Sequence, residues 1–192
     1  TRKESSAASD VYKRQKYSKG KSIRKRDKSV YSREEAGHWE ADTVVSGQGK
    51  SKACFATLAE RKTRFYIAMK MSDRRAETME NAIVAALSAF PPQLVKTITC
   101  DRGTEFANWR RIEERLHCEV YFADPYCAWQ KGTNENLNGL LREFYPKGRN
   151  LSRVAPATLK RNLALLNARP RKVLYFHSAQ ELWDFELNSC CT

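Results

Sequence analysis

Residues 37–71 read GHWEADTVVSGQGKSKACFATLAERKTRFYIAMKM and contain three consecutive segments with strand-like composition. Residues 38–45 alternate and are rich in Val and Thr, and SGQGK after them supplies a turn that contains glycine. ACFATLAE and RFYIAMKM have the composition of two further strands. The stretch therefore predicts an antiparallel meander of three strands.

Helix and strand patterns alternate after the meander. Apolar residues recur at helical spacing from Met79 to Phe90 and stop before Pro91, which predicts a helix over residues 74–90. LVKTITC then forms a short apolar run typical of a buried strand, and it ends at Asp101.

Residues 106–116 repeat the helical pattern, EVYFA follows as a fifth strand, and two more helices are predicted, from near Asn134 and from Pro156. The order is three strands, helix, strand, helix, strand, helix. It predicts an α/β, ribonuclease-H-like domain with a mixed five-stranded sheet flanked by helices.

Residues 1–36 carry many charges and almost no apolar periodicity, so we expect a flexible basic arm before a core that spans residues 37–192 and ends in a helical tail. Within the arm, SSAASDVYKRQ at residues 5–15 resembles translated sequencing-adapter sequence. We therefore expect the natural amino terminus to be missing from this chain.

Charge and composition narrow the function classes. The 35 Lys and Arg residues against 22 Asp and Glu give a net charge of +13, which favours a polyanionic partner, either nucleic acid or an anionic membrane surface. No apolar run approaches the roughly 20 residues of a membrane span, and no signal peptide is recognisable, so we expect a soluble cytoplasmic protein. The scattered histidines and the absence of C-x-x-C spacing argue against structural zinc.

Three carboxylates are candidates for chemistry because of where they lie. Asp42 is inside the first strand of the meander, Asp101 follows the fourth strand, and Glu135 opens the third helix. If the first and fourth strands are neighbours, the two aspartates can meet, and Glu135 can face them. Taken alone, each acid is most often a surface or capping group.

Carboxylate oxygens are the ligands that Mg²⁺ and Mn²⁺ prefer. Two such ions, about 3.5 to 4 Å apart, stabilise the attacking and leaving oxygens of an in-line phosphoryl displacement. Three converging acids therefore predict a site for two Mg²⁺ ions, for which Mn²⁺ can substitute.

The helix around Glu135 supports this orientation. At about 100° per residue, the apolar residues from Leu137 to Phe144 fall between about 140° and 240° from Glu135, whereas Asn138 and Arg142 lie within about 60° of it. Glu135 should therefore point away from the packed face. Arg142, two turns along the same side, is well placed to hold a DNA phosphate.

Several motifs occur together: GHWEAD at 37–42, TLAERKTRF at 57–65, CDRGTEFA at 100–107, the long YFADPYCAWQKGTNENLNGLLREFYPKG at 121–148, and LNARPRK at 166–172. In this order they strongly resemble bacterial insertion-sequence transposases of the IS-thirty family, whose core is of the integrase type. The resemblance covers roughly residues 37–172, and 33 residues separate Asp101 from Glu135, as is typical of such cores.

The resemblance implies a metal-dependent DNA strand cleavage followed by transfer of the freed 3′ hydroxyl to new DNA, with no covalent enzyme intermediate. Asp42 would bridge both metals, while Asp101 and Glu135 would each complete one site. Lys131 and Asn138 would lie close to DNA. The partners implied are the element's ends and target DNA, bound by a homo-multimer that brings two ends together.

The chain departs from the family pattern in several places. Ala41 and Ala168 replace an expected glycine and asparagine, and the sequence after Lys172 differs from the usual ending. No segment resembles the family's amino-terminal helix-turn-helix region. A ribonuclease-H-like nuclease that does not join strands and an inactive DNA-binding remnant therefore remain as alternatives.

Neighbouring residues allow simpler interpretations. We expect Trp39 and Trp129 to pack, and Glu40, which shares a strand face with Asp42, to pair with an arginine. Asn134 is typical of a helix cap and His38 of a structural residue. The basic residues 61–64 fit either a solvated turn or a contact with target DNA, and the sequence does not choose between them.

Overall fold

The computed structural model describes residues 20–190, apart from the side chain of Ala128. Within that range six strands form one mixed sheet. They are β1 (Lys21–Ser22), β2 (His38–Val45), β3 (Cys54–Glu60), β4 (Tyr66–Met71), β5 (Thr97–Cys100) and β6 (Glu119–Phe122).

The strand order across the sheet is β1, β6, β5, β2, β3, β4. The meander of β2, β3 and β4 is antiparallel, as the sequence predicted, whereas β5 runs parallel to both β2 and β6. The first and fourth predicted strands are therefore neighbours, which is the arrangement that the candidate site requires.

Five α-helices lie within the described residues. They are α1 (Ala76–Leu87), α2 (Trp109–Leu116), α3 (Gly132–Phe144), α4 (Pro156–Ala168) and α5 (Ala179–Ser189). The first is shorter than the predicted span of 74–90 at both ends. It begins at Ala76, because Arg75 has an extended backbone, and it ends at Leu87, three residues before the predicted end. The third begins two residues before the expected start, and the fourth begins at Pro156 as predicted.

Each face of the sheet has its own hydrophobic core. Trp39 and Ala41 point from β2 into one core, which is completed by α1 and α2, while Val44 on the same strand points into the other, with α3 and α4. Such alternation follows from the period of two along a strand. Glu40 and Asp42 therefore lie on the face that α3 covers.

The ribonuclease-H-like fold is confirmed, but two expectations about its amino-terminal side need correction. The sheet has six strands rather than five, because Lys21–Ser22 pairs in parallel with Tyr121–Phe122. The segment from Gly20 to Ala36, expected to belong to a flexible arm, contains two 3-10 helices, and Ile23 and Val30 are buried. A two-residue strand has no periodicity, so only its long-range pairing reveals it. The rest of the predicted arm, residues 1–19, lies outside the described residues.

The carboxyl-terminal helix α5 contributes to the first core. Trp183 is fully buried and packs edge-on against Trp39 and parallel to Phe65. A capping box between Ser178 and Glu181 fixes the start of this helix. Among residues 20–190, no helix is long and apolar enough to cross a membrane.

Candidate active site

The parallel pairing of β2 with β5 sets Asp42 beside Asp101. The register pairs Glu40 with Thr99. Asp42 lies two residues after Glu40, and Asp101 lies two residues after Thr99. Asp42 is still within β2, whereas Asp101 follows the last residue of β5. Because two residues restore the same side of a strand, the two carboxylates meet at the carboxyl end of β5.

Lys131 lies between these two carboxylates. Its Nζ is 3.3 Å from Oδ1 of Asp42 and 3.2 Å from Oδ2 of Asp101, and it also donates to the carbonyl oxygen of Ala41 at 3.3 Å. The lysine is only 7% exposed. Burial opposes its charged form, yet the two aspartates hold the pKa of Lys131 above its ordinary value. Three oxygens therefore surround one buried cationic atom.

Glu135 opens into the same space without joining this cluster. It lies exposed in the first turn of α3, away from the packed leucines, as the helical arithmetic predicted. With Asp42, Asp101 and Lys131 it lines a cavity of about 680 Å³. Among residues 20–190, no three His, Cys, Asp or Glu side chains are close enough to hold a metal as they stand. The two aspartates are together, and Glu135 faces them across the cavity.

Buried polar contacts fix the start of α3. Asn134 donates its side-chain amide to the carbonyl oxygens of Glu40 at 2.7 Å and Thr57 at 3.2 Å, and its backbone amide donates to Oε2 of Glu40 at 2.8 Å. Asn134 therefore ties the helix to two strands. The expectation that it caps the helix was wrong, because α3 begins two residues earlier, at Gly132. Because the next residue is Glu135, this anchor decides where the glutamate points.

Glu40 is the counter-charge of Arg61, as the sequence suggested. Both side chains are buried and form an ion pair. The carboxylate of Glu40 thus receives a guanidinium and a helix amide together, which satisfies a charge that would otherwise be costly to bury. Glu40 is in this way committed to structure and does not line the 680 Å³ cavity.

Asn138 orients Asp42. Its Nδ2 donates to Oδ2 of Asp42 at 2.9 Å, and its Oδ1 accepts from the hydroxyl of Tyr66 at 2.6 Å. Burial raises the pKa of Tyr66 far above its ordinary value, so the phenol remains a donor. Arg142, one turn on, donates instead to the carbonyl oxygens of Val45 and Tyr145.

Glu105 is a carboxylate near the site that the sequence interpretation missed. It is 4% exposed and lines the cavity, and its Oε1 accepts from Arg74 at 2.8 Å and Thr43 at 3.2 Å. Its Oε2 is buried without a hydrogen-bond partner among the described residues. A Cβ at Gly103 would lie 2.5 Å from that oxygen and 2.9 Å from Oδ1 of Asp101, so a side chain at this position would displace one or both carboxylates. The sequence signal that could have identified Glu105 is its position four residues after Asp101.

Two expectations about aromatic residues have opposite outcomes. Trp39 is fully buried, as predicted, but Trp129 is 72% exposed, so the expectation that it packs was wrong. It belongs to a short 3-10 helix just before α3, where no core face is available to cover it. His38 was expected to be structural, and it is buried with its ring nitrogens hydrogen-bonded to Thr97 and Glu35.

Comparison with known proteins identifies similar sequences over most of the chain. The model of the integrase core domain family matches residues 32–128, a stretch that includes Asp42 and Asp101. A probable transposase of Streptococcus salivarius for the insertion-like element IS1161 is 37% identical over 86% of this chain and 46% of its own length. The Escherichia coli transposase InsI for IS30C is 36% identical over 85% of this chain and 42% of its own. The chain thus spans less than half the length of these relatives.

Solved structures share the fold at low sequence identity. The catalytic core domain of BIV integrase superposes with a TM-score of 0.60 at 16% identity, over 82% of this chain and 99% of that one. The catalytic core of HTLV-2 integrase, solved in complex with magnesium, gives a TM-score of 0.56 at 13% identity, over 77% and 95% of the two chains. These structures show the fold, and the match of the family model to half of the chain shows that it belongs to the integrase core domain family, in agreement with the resemblance of its motifs to the IS-thirty transposases.

Proposed function

We propose that this chain is the catalytic domain of a DNA transposase, which cleaves DNA at insertion-sequence ends and transfers the freed 3′ hydroxyl to target DNA. Asp42, Asp101 and Glu135 are its catalytic carboxylates and hold two divalent ions, Mg²⁺ or Mn²⁺. The observation that carries the proposal is the convergence of the two aspartates on one buried cationic atom, the Nζ of Lys131.

The residues present fit divalent ions. An ammonium surrounded by carboxylate and carbonyl oxygens stands in for a metal ion, since Mg²⁺ and Mn²⁺ also prefer oxygen ligands. Glu135 lines the same cavity as this ammonium group and the two aspartates. Two bound divalent ions would stabilise both the attacking and the leaving oxygen of a phosphoryl displacement.

The chain's own residues position the reacting groups. Asn138 holds one oxygen of Asp42, and Asn134 fixes the helix turn that presents Glu135. Lys131, once it leaves the aspartates, can reach a substrate phosphate from the edge of the same cavity. Arg142 would contact DNA further along α3.

DNA is the proposed partner, in the form of two insertion-sequence ends and a target duplex. Because a transposase must hold two ends together, a homo-multimer assembles on DNA. We place this activity in the bacterial cytoplasm, at the nucleoid. The net charge of +13 supports binding to a polyanion.

The first test measures Mn²⁺ binding by calorimetry and by thermal unfolding. A ligand that binds only the folded chain raises its melting temperature by mass action. Asp101→Asn and Glu135→Gln should bind Mn²⁺ at least about tenfold more weakly, whereas Glu143→Gln on the same helix, whose carboxylate pairs with Arg169, should bind normally. Equal binding by all four proteins would contradict the metal site.

The second test separates joining from cutting. A labelled oligonucleotide with a recessed 3′ hydroxyl is incubated with plasmid and Mn²⁺, and both nicked plasmid and labelled plasmid are measured. Labelled plasmid that disappears in Glu135→Gln supports a transposase. Nicking without labelled plasmid would instead favour a nuclease. DNA binding with neither product would favour the inactive remnant.

A further inference from the structure

A second cavity lies beside the first turn of α3. Its volume is about 270 Å³, and it is lined by Arg33, Arg64, Arg171, Gly132, Thr133 and Asn136, with Leu137 and Val173 at its side. We call it the arginine pocket. It shares no residue with the 680 Å³ cavity that holds the catalytic carboxylates.

The arginine pocket has positive charge without counter-charge in its lining. Within residues 20–190, none of its three guanidinium groups forms an ion pair with a carboxylate. Arg64 donates to the hydroxyl of Thr133 at 2.8 Å, and Arg171 donates to the carbonyl oxygens of Arg64 at 3.1 Å and Leu166 at 3.0 Å. These hydrogen-bond partners are neutral, and the buried acids that act on Arg64 through space, Glu40 and Glu60, lie outside the pocket lining. An arginine remains protonated at neutral pH.

The positive charges of the pocket are also partly buried and close to one another. Burial, and then the neighbouring guanidinium of Arg33, lowers the pKa of Arg64 to about 10. Burial and the charge of Arg61 lower the pKa of Arg33. The nearby buried acid Glu40 is already paired with Arg61. An anion that entered the pocket would relieve this mutual repulsion.

The pocket and the catalytic cavity lie on different sides of one helix turn. Thr133 and Asn136 project about 160° and 100° away from Glu135 around α3. A helix with its side chains is about 10 Å wide, and a B-form strand carries one phosphate per about 3.4 Å of axis. A strand that passes the catalytic cavity can therefore reach the pocket within a few nucleotides.

We propose that the arginine pocket binds a backbone phosphate of the DNA substrate, a few nucleotides from the bond that is cut. Arginine suits this role, because its planar fork donates two parallel hydrogen bonds to phosphate. The site adds a second anchor to the strand, independent of metal, and so fixes its direction across α3. The inference rests on the proposed function only in taking DNA as the ligand.

The test is metal-free binding of a fluorescein-labelled duplex to the full chain in EDTA, followed by anisotropy over a range of salt. Arg33→Gln and Arg64→Gln should each weaken binding and reduce the slope of log affinity against log salt by about one. Arg64→Lys keeps the charge and should keep the slope, with weaker binding. Arg161→Gln removes the same charge from an exposed position on α4 that lines neither cavity and serves as the matched control.

Thermal unfolding supplies the second measurement. Inorganic phosphate should raise the melting temperature of the natural chain more than that of Arg33→Gln. If phosphate stabilises the chain but the duplex binds all variants alike, the pocket takes free phosphate and the proposal fails. It also fails if Arg161→Gln changes the salt slope as much as Arg33→Gln. Duplex binding in EDTA does not involve the catalytic ions, so a failure of the proposed catalysis would be recognised separately from a failure of the arginine pocket.

Discussion

Lys131 determines the electrostatic character of the candidate site. Two carboxylates brought together repel one another, and the buried ammonium offsets that repulsion. A metal ion between Asp42 and Asp101 would use the same oxygens as Lys131. Ion and ammonium therefore compete for one place.

This competition predicts the effect of Lys131→Met. Without metal the variant should melt at a lower temperature, because it leaves the aspartates unpaired. It should also bind Mn²⁺ about tenfold more tightly, which corresponds to about 1.4 kcal/mol. Calorimetry measures both changes, and Lys70→Met, whose ammonium donates to the carbonyl oxygens of Ser152 and Val154, is the control. Unchanged or weaker Mn²⁺ binding in Lys131→Met would disprove the competition.

His38 predicts a dependence of stability on pH. Burial lowers its pKa in the folded chain despite the nearby carboxylate of Glu35. The unfolded chain, with an ordinary histidine pKa of about 6.5, then binds the proton more readily. The stabilisation is therefore present above about pH 6.5 and is lost as the pH falls through the folded value.

Melting temperatures of the natural chain and of His38→Asn, recorded between pH 7.5 and 5, test this sign. The natural chain should lose more stability on acidification than the variant. Glu35 does not interfere in this window, because hydrogen bonds from Lys96 and His38 lower its pKa to about 2. A parallel decline of both proteins would show that His38 is not the titrating group.

At the scale of elements, side-chain amides join helices to strands. Asn134 fastens α3 to β2 and β3, and Asn167 fastens α4 to β4. Asn167 accepts from the backbone amide of Tyr66 at 3.0 Å and donates to its carbonyl oxygen at 2.9 Å. It pairs with the outermost strand as another strand would, which protects a sheet edge.

Asn167→Ala should destabilise the chain by about 1 to 3 kcal/mol, because both backbone groups of Tyr66 lose their partner in a buried place. Urea unfolding measures the difference. Asn188→Ala, an exposed asparagine on α5, should stay within about 0.5 kcal/mol of the natural chain. If the two variants were equally stable, the amide pairing would not contribute.

At the scale of the whole molecule, both ends of the described chain complete the sheet and its cores. Lys21–Ser22 extends the sheet beyond β6, and Trp183 of α5 closes the first core against Trp39. Between them, Arg26 donates to the hydroxyl of Thr99 at 2.8 Å from a buried position. The 680 Å³ cavity therefore lies on a sheet that is supported by residues from distant parts of the sequence.

Ile23→Ala tests whether the segment before Gly37 belongs to the fold. Ile23 is 1% exposed, so its truncation should cost about 2 to 5 kcal/mol. Val173→Ala, at a position that is 63% exposed, should change stability by no more than about 0.5 kcal/mol. An Ile23→Ala chain as stable as the natural one in urea would show that this segment is only a loose arm.

The order of strands and helices, the packed face of α3 and the three candidate carboxylates could all be predicted from the sequence. These features depend on local periodicity and on motifs whose residues are consecutive in the sequence. Glu135 pointing away from Leu137 and Leu141 is an example, since a helix fixes that angle without its neighbours.

The contacts of each polar group could be read only from the tertiary structure. Lys131 between Asp42 and Asp101, Asn138 on Asp42 and the arginine pocket all join residues that the parallel register and the seating of α3 bring together. The paired strand at Lys21–Ser22 is of the same kind. Such contacts have no period along the chain, because they depend on how elements that are distant in sequence are placed against one another.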